Sequence, residues 1–253
     1  MKEKEYYEEI KDWNFDNFNF ESESLTNFDM YEILKDVTNK DSKILDLGTG
    51  GGEKLLKYFP NVKEILGTDY SEEMIKTANK NLSRSNRKNI SFRVMNNLEM
   101  DVSKNYYDVV VARNTVTDPK QIYEVLKNDG YLIVHGVDKY DCHELKLIFG
   151  KGQTFNDLKP ISIIDYENIL AAGFKDVELI PMHTKEYFKT KNDLYNFLLK
   201  VPIIEDFSEE NDANKDYYSN SIDNDKLDYY IKRNTYQKGI RLVRRYYGIV
   251  AKK

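Results

Sequence analysis

A glycine-rich segment between two acidic residues is the part of the sequence with the clearest chemical potential. The stretch ILDLGTGGGEKLLKYF puts Asp46 at the end of an apolar run and glycines at 48, 50 and 52 ahead of the apolar positions Leu55, Leu56 and Phe59. Glycine is needed where the backbone takes positive φ or lies against a ligand with no room for a Cβ. The spacing predicts a strand, a tight ligand-facing loop and a helix.

The spacing also separates this loop from two other nucleotide-binding loops. A dinucleotide fingerprint starting at Gly48 needs a small residue at position 53, where this chain has Glu53, and a phosphate-binding P-loop needs Gly-Lys followed by Ser or Thr. An acid near a helix N-terminus is also unfavourable for a pyrophosphate, which binds bare backbone amides there. The predicted ligand is therefore a nucleoside without phosphates.

A second acid supports the same ligand. The run EILGTDYS ends in Asp69, where a second predicted strand meets its loop. Ligands of open parallel sheets bind beyond the carboxyl ends of the strands, and an acid there accepts hydrogen bonds from ribose hydroxyls. We expect Asp69 to bind a ribose.

The elements that must position these residues alternate along the chain. Short, β-branched runs typical of buried strands are separated by helical patterns, which predicts parallel pairing through crossovers and an α/β, doubly wound sheet. The predicted strands are 43–47, 64–68, 90–95, 107–112, 131–137, 175–188 and 241–251. Helices are predicted over the apolar stripe from Leu25 to Val37, after the caps Ser71 and Asp118, and over 165–172, 192–200 and 227–233. Gly130 is expected just beyond the end of the helix that Asp118 caps. Pro181 weakens the prediction of a strand at 175–188, and the polar segment 208–225 is predicted to be a mobile loop.

The motif D-x-G-x-G-x-G after the first strand, with an acid after the second, resembles the class I (Rossmann-like) S-adenosylmethionine-dependent methyltransferases. The resemblance runs from about Tyr31 to Gly136. It implies S-adenosyl-L-methionine as the cofactor, methyl transfer as the reaction, and a seven-stranded sheet of order 3-2-1-4-5-7-6. The final strand, RLVRRYYGIVA, is expected to be antiparallel.

The resemblance also assigns roles to residues. It places Asp46, Gly48, Thr49, Gly50 and Gly52 beneath the methionine part and the ribose, Asp69 on the ribose hydroxyls, and Tyr70 against the adenine. Arg113 and Asn114 correspond to the stretch lining the methionine end.

Some of these positions have a second interpretation. The family usually has an acid after the third strand for the adenine amino group, whereas this chain has Asn96 and Asn97, which either accept from the adenine or simply form a turn. Arg113 is either a surface cation or a cofactor contact, the latter through its backbone.

Composition limits the alternatives. Lys and Arg total 38 and Asp and Glu total 43, a formal charge of −5, so there is no general electrostatic reason to expect a nucleic-acid partner. The single cysteine, Cys142, and three scattered histidines suggest neither a disulfide framework nor a metal site. No apolar run reaches the length of about 20 residues that crosses a bilayer, so we expect no membrane partner and a cytoplasmic protein.

We expect one methyltransferase domain over 1–253, with a core at 31–188 and 239–253. The aromatic segment 1–24 acts either as a lid or as packing, and the insertion at 189–238 is expected to be a helical and loop substrate cap. The basic stretch 232–245 is most simply a solvated face; a nucleic-acid contact is the alternative.

The acceptor is less well defined by sequence. A sulfonium cofactor needs mainly in-line approach and loss of a proton, so a general base is optional; His135 is the first candidate, followed by His143 and His183. Motifs of enzymes acting on nucleic-acid amino groups, pyrimidine carbons or arginine are absent from the sequence. A small-molecule acceptor is expected, with an RNA-modifying enzyme and a non-catalytic cofactor-binding protein as alternatives.

Overall fold

The computed structural model describes residues 19–201, 203–204 and 223–253, which form a mixed sheet with helices on both faces. The strands are β1 (Phe20–Ser24), β2 (Lys43–Leu47), β3 (Glu64–Asp69), β4 (Ile90–Val94), β5 (Tyr107–Arg113), β6 (Leu126–Val137), β7 (Lys175–Phe188), β8 (Thr235–Tyr236) and β9 (Gly239–Lys252). The helices are α1 (Met30–Asp36), α2 (Glu53–Tyr58), α3 (Glu72–Ser83), α4 (Pro119–Val125), α5 (His143–Phe149), α6 (Ile161–Ala171), α7 (Lys191–Lys200) and α8 (Asn224–Asn234).

The strand order confirms the predicted topology. The sheet runs β4-β3-β2-β5-β6-β9-β7, which is the expected 3-2-1-4-5-7-6. Strands β2 to β6 pair in parallel, and β9 is antiparallel to both β6 and β7. Two further strands join these seven: β1 pairs antiparallel with β7, and the two-residue β8 pairs with β9.

Apolar layers cover both faces of the central strands. In β2, Ile44 packs with α1 and α2, whereas its neighbour Leu45 packs with the layer beneath α4 and α6. This two-sided burial is why the parallel strands are almost continuous apolar runs in sequence.

Helix boundaries follow local capping chemistry. Ser71 and Asp118 cap α3 and α4 as predicted, each accepting hydrogen bonds from backbone N–H groups of its first turn. Two predicted boundaries are wrong. The first helix begins at Met30, where Asp29 provides the cap, and not at Leu25. Helix α4 ends at Val125, well before Gly130, because Leu126 is extended and pairs with β5.

Strands β7 and β9 extend past the carboxyl ends of the parallel strands. Strand β6 pairs with β9 only as far as Val137 opposite Tyr246, whereas β9 and β7 continue pairing out to Ile240 opposite Phe188. Pro181 is accommodated in β7 because β1 covers only Thr184 to Phe188, so at Pro181 the strand pairs with β9 alone.

The described helices between β7 and β9, which are α7 and α8, pack on this extension. Helices α5, α7 and α8 share a separate apolar cluster with the extended strands, centred on buried residues such as Phe188, Leu194, Phe197, Leu227 and Leu242. The predicted mobile loop lies mostly outside the described residues; its last positions, 223–225, cap and begin α8.

The amino-terminal segment is described only from residue 19. Residues 20–24 form β1, and Phe20 packs on Phe188 and Phe197 with ring centroids 5.1 and 5.8 Å apart. The predicted aromatic lid residues up to Phe18 lie outside the described residues. In the described part of the chain, no helix combines the length and apolarity that a bilayer crossing requires.

Candidate cofactor-binding site

The glycine-rich loop sits between the carboxyl ends of β2 and β3. The backbone N–H groups of Gly48 and Thr49 both donate to the Thr68 carbonyl at 2.9 Å. Glycines 48, 50 and 52 have φ of +73°, +57° and +75°, a region that residues with a Cβ rarely adopt. The three alternate glycines are therefore required by the loop's backbone, as the sequence predicted.

Two of these glycines are also closely packed. A Cβ at Gly52 would lie 2.7 Å from the Phe92 ring of β4, and one at Gly48 would lie 2.7 Å from the Thr115 side chain. At Gly52, the close neighbour that leaves no room for a Cβ is thus a side chain of the protein and not a ligand. No local signal in the sequence points to Phe92 or Thr115 as partners of this loop.

Asp69 fastens the loop to β3. Its carboxylate accepts from the backbone N–H of Gly50 at 2.9 Å and from that of Ser71 at 3.0 Å. Burial raises the pKa of Asp69, and these N–H groups partly offset the shift. Each carboxylate oxygen accepts one of these two bonds and has a further lone pair.

Asp46 is the most unusual group in the site. It is fully buried at the end of β2, and neither carboxylate oxygen has a hydrogen-bond partner. Burial raises its pKa to about 6, a shift that the cation of Arg113 and, to a smaller extent, the nearby Thr49 hydroxyl partly oppose. A buried carboxylate without partners is costly unless something else compensates it.

Unpartnered polar atoms concentrate at this edge of the sheet. In the described part of the chain, six buried side-chain N or O atoms lack a partner, and four of them belong to Asp46, Thr49 and Asn97. Asp46 lies in β2, Thr49 follows β2 and Asn97 follows β4, so all three lie near the carboxyl ends of the two parallel strands that flank β3. Since an unsatisfied buried polar group costs about 1 to 3 kcal/mol, such a concentration fits a polar ligand that supplies the missing partners.

The two asparagines after β4 have different environments. Asn96 accepts from the backbone N–H of Leu98 at 3.0 Å, which is a turn contact. Asn97 is buried and donates to the Thr115 hydroxyl at 2.9 Å, while its Oδ1 has no partner. Of the two, only Asn97 has a buried side-chain oxygen without a partner.

Arg113 extends from the end of β5 towards α1. Its guanidinium donates to the Tyr31 hydroxyl at 2.6 Å, and the Tyr31 ring stacks on Tyr58 with centroids 4.8 Å apart. The Arg113 side chain is therefore partly buried and hydrogen-bonded to α1. The sequence does not reveal this contact of Tyr31, because the residue lies in the apolar stripe of a helix, a pattern that indicates burial but not a hydroxyl contact.

His135 lies beside Arg113, its register partner in the parallel pair of β5 and β6. Its Nδ1 is 3.4 Å from Oδ1 of Asn114, and its ring packs on Tyr246 with centroids 5.3 Å apart. Burial and the nearby cation lower the pKa of His135 to about 4, so the imidazole is neutral at physiological pH. His143 and His183 lie further out, at the start of α5 and on β7.

Exposed apolar side chains border the same edge. Tyr70, directly after Asp69, is 51% exposed, and Leu98 and Val116 follow the neighbouring strands in similarly open positions. No group of three or more potential metal-ligating side chains occurs among residues 19–201, 203–204 and 223–253.

A family model described as a methyltransferase domain matches residues 38–235. The chain belongs to this family. It is thus a class I, S-adenosylmethionine-dependent methyltransferase. The strand order, with its antiparallel β9, is the one that the resemblance to this family implied.

Known proteins agree with this assignment. The methyltransferase is 26% identical over 170 residues to the ubiquinone/menaquinone biosynthesis C-methyltransferase UbiE of Rickettsia prowazekii, covering 64% of this chain and 68% of that protein. Its fold resembles the YcgJ protein of Bacillus subtilis (TM-score 0.55, 14% identity, 88% and 96% of the chains covered). It also resembles phosphoethanolamine N-methyltransferase 2 of Haemonchus contortus, solved with phosphomonomethylethanolamine and S-adenosylhomocysteine (TM-score 0.52, 19% identity, 88% and 51% covered).

Proposed function

We propose that this methyltransferase acts on a small-molecule acceptor, bound between the carboxyl edge of the sheet and helices α7 and α8 of the insertion. The observation that carries this proposal is the extension of β7 and β9 beyond the parallel strands, with the insertion helices packed on it. This arrangement forms one wall beside the cofactor edge, and the insertion acts as a substrate cap on a single domain. The cited curated relative, named for ubiquinone and menaquinone biosynthesis, also supports a small acceptor.

The cofactor residues proposed from the sequence all lie at this edge. In the proposed complex, Asp69 and the loop at Gly48 to Gly52 bind the ribose and the methionine part, Tyr70 lies against the adenine, and Asn97 accepts from its amino group. Asn96 contributes through the turn that it forms with Leu98.

Asp46 and Arg113 suit the two charges of the methionine tail. The Arg113 cation lowers the pKa of Asp46, although no N–O contact within 4 Å joins the two side chains. Among the described residues, neither side chain forms an ion pair with any other residue. We assign Asp46 to the tail's ammonium group and the Arg113 side chain to its carboxylate. This assignment replaces the backbone contact that the sequence favoured for Arg113, because the guanidinium is close enough to Asp46 to lower the pKa of that carboxyl.

The bound cofactor supplies an electrophilic methyl group on a sulfonium. The residues of the chain orient the acceptor and accommodate its proton. We propose His135 as the group that receives this proton: the contact of Nδ1 with Asn114 is satisfied when Nδ1 carries hydrogen, which leaves Nε2 as an acceptor. Because its pKa is about 4, His135 is a weak base and suits an acceptor whose proton is already labile.

The basic stretch 232–245 offers little support for an RNA acceptor. Arg244 is buried against Asp141 and Glu186, Arg233 pairs with Glu144, and Arg241 donates to Asn234. Most of its arginines are thus committed to contacts within the protein. A continuous basic surface of the kind that binds a phosphate backbone requires such cations to be free.

Calorimetry with S-adenosylmethionine and S-adenosylhomocysteine, followed by a metabolite screen with labelled methyl, tests this proposal. We expect both cofactor forms to bind and label to appear in a small acceptor. Copurifying RNA, and activity on RNA that falls steeply with salt, would instead support the RNA-modifying alternative.

A further inference from the structure

A basic cluster lies on the β7–β9 extension, outside the proposed cofactor site. His183 of β7 is the register partner of Arg245 in β9. Lys185 is two residues along β7, so it shares the face of His183 and Arg245. We call Arg245, His183 and Lys185 the basic cluster; all three side chains are partly buried and partly accessible.

Arg245 differs from its neighbour Arg244. The guanidinium of Arg244 is buried against the carboxylates of Asp141 and Glu186, with N–O distances of 3.0 and 3.4 Å. Within the described part of the chain, the side chains of Arg245 and Lys185 have no acidic partner within 4 Å. Two adjacent arginines therefore face opposite sides of β9, one neutralised and the other not.

The acids nearest the basic cluster are occupied by other donors. Asp141 accepts from the backbone N–H of Arg245 at 2.7 Å and is neutralised by Arg244. Asp138 accepts from the Ser162 hydroxyl and from the backbone N–H of Tyr140. Glu23 of β1, opposite Lys185 in register, pairs with Lys238 at 3.4 Å.

Two histidines experience the charge of Arg245. Partial burial and the nearby Arg245 lower the pKa of His183, and the same cation contributes to the lowered pKa of His143 at the start of α5. Neutral imidazoles beside unpaired cations still offer one N–H donor each.

We propose that Arg245, His183 and Lys185 bind an oxyanion, a phosphate or carboxylate group of a small molecule. Arg245 is one residue beyond Tyr246, the last residue of β9 that pairs with β6, so the basic cluster begins about 3.4 Å beyond the end of β6. The basic cluster lies on the face of β9 opposite Leu242 and Arg244, which the insertion helices cover. The oxyanion site is therefore separate from the proposed acceptor pocket and does not rest on the proposed function.

Calorimetry on the full-length protein saturated with S-adenosylhomocysteine tests the site, with inorganic phosphate and acetate as probes. We expect at least one of them to bind, and Arg245→Gln to weaken its binding about tenfold or more because a charge-assisted contact is lost. The substitution leaves the contact with Asp141 intact, since that contact uses the backbone of residue 245. Arg233→Gln removes the same charge from an exposed, paired residue of α8 and should change binding by less than about twofold.

Absence of heat with both probes, or equal binding by the wild-type and Arg245→Gln proteins, would overturn the oxyanion site. Lys185→Gln provides a second variant if Arg245→Gln does not fold.

Discussion

The Asp69 carboxylate accepts a hydrogen bond of 2.9 Å from the backbone N–H of Gly50, which joins the end of β3 to the middle of the glycine-rich loop. The same group is the proposed ligand of the ribose hydroxyls. Asp69 therefore both shapes the loop and, in the proposal, binds the cofactor.

Substitution Asp69→Ala is expected to weaken S-adenosylmethionine binding by about one to two orders of magnitude, since each charge-assisted hydrogen bond contributes about 1.5 to 3 kcal/mol. Calorimetry measures the change directly. Asp101→Ala, which removes an exposed carboxylate after β4, serves as the control and should bind normally. Unchanged affinity in Asp69→Ala would refute the ribose contact.

Asp46 predicts opposite effects on stability and binding. The pKa of Asp46 in the folded chain, about 6, is above its value in the unfolded chain. Its contribution to stability is therefore fully present below about pH 4, where the carboxyl is protonated in both states. That contribution is lost as the pH rises through 6, which lowers the free energy of unfolding by about 3 kcal/mol. Asp46→Asn should therefore stabilise the cofactor-free protein by about 1 to 3 kcal/mol at pH 8 and have little effect near pH 4. Urea unfolding at the two pH values measures this.

The same substitution should weaken cofactor binding at pH 8 by about tenfold or more, because the ammonium of the methionine tail loses its charged partner. A variant that is less stable at pH 8 and binds normally would show that the Asp46 carboxylate has a structural partner and no role in binding.

Gly52 and Gly150 form a matched pair for testing the loop. Both have positive φ, but a Cβ at Gly52 would meet the Phe92 ring at 2.7 Å, whereas a Cβ at Gly150 would meet no atom within 4 Å. Gly150→Ala should cost about 1 kcal/mol of unfolding free energy from backbone strain alone, and Gly52→Ala about 1 to 3 kcal/mol more from overpacking. Phe92→Leu should restore part of the Gly52→Ala loss. Equal costs at the two glycines would contradict the close packing of the loop.

His135→Gln tests the proposed proton acceptor. We expect kcat to fall by about 100-fold, with cofactor affinity changed by less than about threefold, since the proposal gives His135 a role towards the acceptor and none towards the cofactor. In the wild-type enzyme the pKa of about 4 predicts a kcat that is flat above roughly pH 5.5 and falls only as His135 becomes protonated at lower pH. A break in the profile near the ordinary histidine pKa, or full activity in His135→Gln, would exclude this role.

Most of the core is predictable from the sequence. The predicted strands 43–47 and 175–188 have the bounds of β2 and β7. The buried β2 is an apolar run, whereas most of β7 is only partly buried and its sequence is more polar. Ser71 and Asp118 were identified as caps because a cap's hydrogen bonds reach only two or three residues along the chain. The start of α1 and the end of α4 were mispredicted, since Asp29 competes as a cap and Leu126 is drawn into pairing with β5.

Site residues on a single segment were easier to predict than those that meet across segments. In the loop from Gly48 to Gly52, the glycine spacing predicts the backbone conformation. The contact of Tyr31 with Arg113 and the packing of Phe92 on Gly52 join positions far apart in the chain, so no periodicity or local motif reports them.

The sequence alone determined the strand–loop–helix unit, the placement of Asp46 and Asp69 at the ends of successive strands, and the order of strands and helices. These features follow from propensity, capping and glycine conformation, which act over a few residues. Only the tertiary structure decided that Asp46 lacks partners, that Arg113 turns towards α1, and that Arg244 is neutralised while Arg245 is not. Burial and charge pairing depend on which distant side chains share a volume, and that is set by the packing of the whole chain.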